Sequence, residues 1–247
     1  MSTSTLPPSL VAVFAPTGVL RASINLGNPI LAGCDPSSGA PTGVSVDLAR
    51  AFAQRLGVDV ELKVFEKAAA SVEAVRGEEA DIGFFAIDPA RSEGLRFTAP
   101  YVLIEGSYLV PTGSALKVNE EVDVGGNRVA VGSGSAYGLF LTRGLKAAQI
   151  GGVAGAKGVM QALRAGQVQV AAGIRQVLEA EAAADAGLRM LPGRFMVIQQ
   201  AMGTPASRGA QAGAALATFV EEMKASGFVA EALARHKVHG ASVAPAA

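Results

Sequence analysis

Apolar positions along this chain recur with two periods, and the two periods take turns. The stretch VSVDLARAFAQRLGVD (residues 44–59) sets Val46, Leu48, Ala49, Phe52, Ala53 and Leu56 at helical spacing, which predicts an amphipathic helix. Asp47 falls in its first turn, where a carboxylate complements the positive end of the helix dipole. Gly57 stands where a C-terminal glycine closes a helix. On either side, GVLRASINLG (18–27) and VDVELKVFE (58–66) alternate apolar with polar residues and predict strands. Between the first strand and the helix, NPILAGCDPSSGAPTG (28–43) is rich in Pro, Gly and Ser and predicts a loop.

The alternation continues. AAASVEAVRGEEA (68–80) predicts a helix, and DIGFFAI (81–87) a strand without a polar face. SYLVP (107–111) predicts a further strand, followed by the loop TGSALKVNEEVDVGGN. RVAVGSGSAYGLFLTRGL (128–145) predicts a strand, a Gly/Ser turn and a helix. KGVMQALRAGQ predicts a helix, VQVAAGI a strand, RQVLEAEAAADAG a helix, RFMVIQQAMGTP an extended run, and residues 212–237 one or two closing helices. Strands alternating with helices argue an α/β fold with mostly parallel sheets. The strand–glycine–helix unit occurs near the start and again near the middle, which suggests two similar lobes.

Composition narrows the function classes. The chain has 247 residues, half of them apolar, enough for one large domain or two small lobes. Its 21 basic and 21 acidic residues cancel, with no basic stripe or acidic tail, so nucleic acid and anionic membrane are not expected partners. The apolar stretch at residues 10–15 is too short to span a membrane or serve as a signal peptide and is closed by Pro16. The sequence as it stands is therefore expected in the cytoplasm, or in the periplasm if a leader has been removed. LAGC (31–34) is spelled like a lipoprotein cleavage box, but Arg21, Ser23, Asn25, Asn28 and Pro29 occupy the place of its apolar core. Cys34 reads as a lone thiol in a loop. As the single cysteine, it excludes an internal disulfide and a zinc–thiolate cluster.

Enzyme chemistry finds little support. Both histidines, His236 and His239, stand near the C-terminus and read as a solvated tail. No histidine falls in a strand-end loop to act as base to a nucleophile. No metal-ligand spacing occurs, and no metal or cofactor is expected. GSGSAYG (132–138) follows a strand and opens a helix but lacks the GK[ST] ending of a phosphate loop. Two readings remain for Ser135 and Ala136: backbone N–H groups at a helix start that bind an anion, or a tight turn that needs small residues. Arg91, in FFAIDPARSEGLRFTAPY (84–101), also has two readings. Its guanidinium grips a carboxylate with two parallel hydrogen bonds, or it is a surface arginine paired with Asp88 or Glu93.

Four segments, GVLRASINLGNP, GVSVDLARAFAQRLGV, GEEADIGFFAIDPARSEGLRFTAPYV and RVAVGSGSAY, in that order and spacing, resemble the amino-acid class of ABC-transporter solute-binding proteins. The resemblance covers about residues 17–235 and is most specific at Asp81, Arg91, Phe97, Thr98, Pro100 and Tyr101. It implies a two-lobed periplasmic-binding-protein-like fold (type II), each lobe a mostly parallel sheet flanked by helices, joined by two hinge strands. Lobe 1 would hold residues 17–111 and 199–240, lobe 2 residues 112–198, with SYLVPTG and VIQQAMG as the crossings. It further implies a non-catalytic receptor or sensor for a small carboxylate held between lobes, an ABC permease as partner, Arg91 as clasp of the carboxylate, and the turn at Gly134, Ser135 and Ala136 as donor of backbone N–H groups.

The chain also departs from that family. Phe84 and Ala86 stand where relatives place hydroxyl residues, and Ile174 stands where relatives carry an aspartate for the ligand's ammonium. Arg175 and Gln176 follow. A carboxylate ligand without the usual ammonium site is expected, with a second carboxylate if Arg175 points inward, and with Asn28, Gln199 and Gln200 as neutral hydrogen-bonding partners. The alternative is a dehydratase of the same fold acting on a cyclic carboxylate, with Glu66, Lys67 or Glu105 as general acid.

Overall fold

The computed structural model describes residues 6–247. In chain order it contains α1 (Pro8–Phe14), β1 (Val19–Asn25), β2 (Gly33–Cys34), β3 (Pro41–Thr42), α2 (Val44–Leu56), β4 (Asp59–Phe65), α3 (Ala68–Arg76), β5 (Ile82–Ala86) and β6 (Leu95–Pro111). There follow β7 (Arg128–Gly132), α4 (Ala136–Gly144), β8 (Gln149–Val153), α5 (Gly155–Arg164), β9 (Val170–Ile174), α6 (Arg175–Ala184), β10 (Leu188–Met190), β11 (Met196–Pro205), α7 (Gly209–Ala225), α8 (Phe228–Arg235) and β12 (Ser242–Val243). The chain forms two compact units. Unit 1 runs to Val102 and resumes at Gln199, and unit 2 is Leu103–Ile198. The chain passes from one to the other inside β6 and back inside β11. The sequence reading set the first crossing after Pro111; the units divide after Val102, because residues 95–111 form one uninterrupted strand.

Unit 1 orders its strands β4–β1–β5–β11. β1 is parallel to β4, from Val19 opposite Asp59 to Asn25 opposite Phe65, and parallel to β5 at Ala22 and Ile82. β11 runs antiparallel to β5, with Gln200 opposite Ala86. α2 covers this sheet with its apolar stripe, and Gly57 closes it in the left-handed conformation at φ 71°. Phe14 of α1, Phe52 of α2 and Phe219 of α7 meet in sequence, each pair of ring centroids 4.9 Å apart. Unit 2 orders its strands β6–β9–β7–β8, with β9, β7 and β8 parallel and β6 antiparallel to β9. Its core gathers Leu109, Ala130, Met160, Leu163, Ala171 and Leu178.

Several elements differ from the sequence reading. α1 is a helix, started by Pro8 and anchored by buried Phe14, although its seven residues are too few to show a period. β8 contains Gly151 and Gly152, which weaken strand propensity, and it forms through its parallel pairing with β7. His236 is not a solvated tail residue. It caps α8, and its Nε2 lies 2.8 Å from Asp47 Oδ2; His239 is exposed.

One buried carboxylate ties much of unit 1 together. Asp81 has no solvent exposure. Its Oδ1 accepts from Arg21 Nη2 at 2.7 Å and Arg208 Nη2 at 3.1 Å, and its Oδ2 accepts from the Arg21 amide at 2.9 Å and Nε at 3.0 Å. The Asp81 carbonyl accepts from Thr204 Oγ1 on β11 at 2.9 Å, and Arg208 also donates to the Val13 carbonyl of α1 at 2.7 Å. Removing one partner from such a pair leaves buried charge uncompensated. Asp81→Asn is expected to lower unfolding free energy by about 3–5 kcal/mol, read in urea as a lower midpoint at unchanged slope.

Candidate functional site

β5 leads directly to Arg91. All five residues of the strand are buried. Gly83 is required by close approach, since the ring of Phe85 fills the space a Cβ would take, and at Gly203 a Cβ would crowd the same ring at 3.2 Å. Phe84 stacks edge-on against Tyr101 with centroids 6.3 Å apart. Beyond Ala86, the Ile87 amide donates to the Gln199 carbonyl at 2.8 Å, which holds the chain to β11. Asp88 then ends the extended run. Its Oδ1 accepts from the Ala90 amide at 2.9 Å, Pro89 presets the backbone, and Pro89–Arg91 forms a single 3-10 turn.

This turn folds the Arg91 side chain back over the strand end, where Nη1 donates to the Ala86 carbonyl at 3.4 Å. Arg91 is only 6 % exposed, and Asp88 4 %. The surface-arginine reading is therefore overturned, although Asp88 remains its electrostatic neighbour. Glu93 is exposed. Burial pulls the Arg91 guanidinium below its ordinary pKa and the Asp88 charge opposes the shift; an arginine remains cationic under such a shift. Elsewhere in unit 1, Gln200 is buried opposite Ala86 and Gln199 is exposed. Asn28 is 8 % exposed, and its Oδ1 has no hydrogen-bond partner.

In unit 2 the second anion-binding candidate is built from the turn between β7 and α4. Gly134 takes φ 72°, a left-handed conformation suited to glycine. Ser135 is the N-cap of α4, its amide donating to Gly132 at 3.0 Å and its Oγ accepting from the Gly138 amide at 3.1 Å. Gly138 must be small, because a Cβ there would meet Ser135 Oγ at 2.9 Å. Ala136 is the first helical residue and is buried. Its amide is one of the first-turn donors that an α-helix cannot pair internally.

The head of α6 is occupied differently from expectation. Arg175 Nε donates to Glu179 Oε1 at 2.8 Å, and its Nη1 donates to Glu105 Oε2 at 2.8 Å and to the Gly193 carbonyl at 3.3 Å. Arg194 Nη1 donates to Glu105 Oε1 at 2.5 Å. Arg175 is thus neutralised by two carboxylates, and the reading that it grips a second ligand carboxylate is not carried forward. The Arg194 and Arg175 hydrogen bonds hold Glu105 below the ordinary carboxylate pKa, against the opposing effect of burial, a shift that disfavours the protonated form a general acid needs. Glu66 and Lys67 are exposed. Gln176, the next residue of α6, keeps both side-chain Oε1 and Nε2 buried without a partner, a state that costs about 1–3 kcal/mol per group. The pairing of Arg194 with Glu105 joins residues far apart in sequence and left no local signal; the D-P-x-R spacing of the Asp88 cap did.

Two α/β units joined by two extended strands, with a buried arginine at a strand end, describe a solute-binding protein. The sequence matches the profile of the bacterial extracellular solute-binding proteins, family 3, over residues 32–238, and the chain belongs to that family. The family is one of solute-binding proteins. Solved structures agree on the fold. An amino acid ABC transporter substrate-binding protein of Streptococcus pneumoniae bound to L-arginine superposes with TM-score 0.76 at 17 % identity, over 90 % of this chain and 96 % of the other. A binding component from Wolinella succinogenes complexed with lysine gives TM-score 0.75 at 21 % identity, over 88 % and 95 %. An ancestral amino-acid-binding protein, a precursor of cyclohexadienyl dehydratase, gives 0.73 at 20 %, over 91 % and 98 %. No curated protein matches the sequence. Among the described residues no helix is long and apolar enough to cross a membrane.

The Glu105 network makes a pH-dependent prediction. A carboxylate whose folded pKa is depressed adds stability that is present above its unfolded value and fades as pH falls through the folded value. The thermal midpoint of Glu105→Gln should therefore lie below that of the parent at pH 7, and the gap should narrow on acidification below the ordinary value of 4.5.

Proposed function

We propose that this protein captures a small carboxylate-bearing metabolite, an amino acid or a related organic acid, and that Arg91 is the anchor for the carboxylate. The observation that carries the reading is the burial of Arg91 at the end of a wholly buried strand, fixed by the Asp88 cap. A cation so placed has lost most of its hydration and gains correspondingly from an anionic guest. The turn at Gly134, Ser135 and Ala136 is the second proposed anion-binding element. Family membership supports both, and the neighbours solved with L-arginine and lysine support an amino acid or a close analogue as the solute. Phe84 and Ala86 would contribute apolar walls rather than hydroxyl donors. The family's description as extracellular supports placement outside the cytoplasm, with an ABC permease as the partner. The dehydratase alternative is set aside on the family's description as solute-binding proteins, with Glu105 engaged by Arg194 and Arg175.

Calorimetry with amino, hydroxy and keto acids tests the anchor. Arg91→Ala should weaken binding at least about 100-fold, the loss of two charge-assisted hydrogen bonds of about 1.5–3 kcal/mol each. Arg91→Lys should recover only part, since an ammonium cannot make the bidentate contact. Unchanged affinity in Arg91→Ala would end the proposal. The turn has its own test. Proline suits the first position of a helix, and Ser135, at ψ 153°, already has the extended conformation required before it. Ala136→Pro should therefore keep the fold and lose one N–H donor, weakening binding about 10-fold or more.

A further inference from the structure

The head of α6 shows how the rest of the solute is read. Around it, charge is already spent. Arg175 is held by Glu105 and Glu179, and Glu105 is shared with Arg194. The other acidic groups of unit 2 are also committed. Glu121 accepts from the Lys117 and Val118 amides, Asp123 from the amides of residues 146–148, and Glu181 and Asp185 from Arg164. Glu120 is exposed. A cationic group on a solute finds no uncommitted buried carboxylate in this unit.

Gln176 differs from all of these. Its amide oxygen and nitrogen are both buried and both lack a partner, while the residue as a whole is only half-buried. Buried polar atoms in folded proteins are nearly always paired, so such an exception calls for a reason. The side chain turns about three single bonds, and rotation re-aims an uncharged group that both donates and accepts. In unit 1, Asn28 Oδ1 is likewise buried and unpartnered.

We propose that the solute's second recognised group is uncharged, a hydroxyl, keto or carboxamide function read by the Gln176 side chain, and that a solute bearing an ammonium there is disfavoured. This deepens the proposed function and rests on it. Carboxylic acids that match an amino acid in skeleton but carry oxygen in place of the amine are the class expected. The neutral amide can donate to that oxygen or accept from it, whereas an ammonium beside Gln176 would meet no uncommitted buried carboxylate of unit 2.

The test uses matched pairs on the full chain, L-lactate against L-alanine and L-3-phenyllactate against L-phenylalanine, by calorimetry. The hydroxy acid of at least one pair should bind about 10-fold or more tighter than its amine partner. Gln176→Leu, close in size, should erase that preference. Gln176→Glu should reverse it, because the new carboxylate would pair with an ammonium; this variant serves if the leucine variant does not fold. An amine partner that binds as well in both pairs, no binding of either hydroxy acid, or a preference unchanged in the Gln176 variants overturns the inference. The same titrations on Arg91→Ala separate the two readings. Loss of binding there with no hydroxy preference leaves the carboxylate anchor standing and removes the Gln176 role alone. Retained affinity there removes the anchor as well.

Discussion

The organisation of unit 1 depends on a carboxylate that water cannot reach. Asp81 accepts both Arg21 and Arg208, and through its backbone it also holds Arg21 and Thr204. These contacts join β1, β5 and β11 at one end of the sheet, and Arg208 extends them to the end of α1. An ion pair out of water repays its desolvation only when its geometry is good and its remaining lone pairs are occupied. Here both oxygens are occupied, and the backbone amide of Arg21 adds a neutral donor. Such an anchor fixes register, because a slip of one residue would turn Asp81 away from both arginines.

Register matters because β5 has a cation beyond its other end. The five buried residues of β5, then Ile87 and the capping Asp88, separate the Asp81 anchor from the turn that carries Arg91. Inside that span, Phe85 lies over Gly83, leaving no volume for a side chain there, and packs closely against Gly203 of β11. The strand is thus held by charge at one end and by close packing along its length. The turn that follows adds its own constraints, with Pro89 setting the backbone and Asp88 closing the cap. Arg91 inherits its position from all three. A flexible arginine would lose rotamer entropy on gripping a ligand; this one has lost much of it on folding.

The order of elements was largely legible because helices and strands alternate and their periods are clear. α2 shows this well, with its stripe, its acidic first turn and Gly57 at its end. What escaped was short or depended on distant partners. α1 has too few residues to show a period, and β8 is a strand by virtue of its pairing with β7 rather than its glycine-rich sequence. The site was legible where chemistry is local. D-P-x-R announces a capped turn ending in a cation, and GSGS before an apolar run announces a helix start. Sequence left the role of Arg175 open because Glu105 is 70 residues away, and no local pattern signals that a cation has already found its counter-ion.

That contrast between two arginines bears on selectivity. Arg175 meets Glu105 and Glu179 in partly exposed surroundings, where ion pairs are weak but neutralise the local field. Arg91 is buried, with Asp88 as an electrostatic neighbour. Of the two, Arg91 is the more desolvated, and an anion beside it would interact across little screening solvent. A protein with no net formal charge has no monopole field to draw its solute in, and only its local charge distribution can steer. On the proposed reading it discriminates at contact, through Arg91 for the acid group and through the neutral Gln176 amide for the solute's second group.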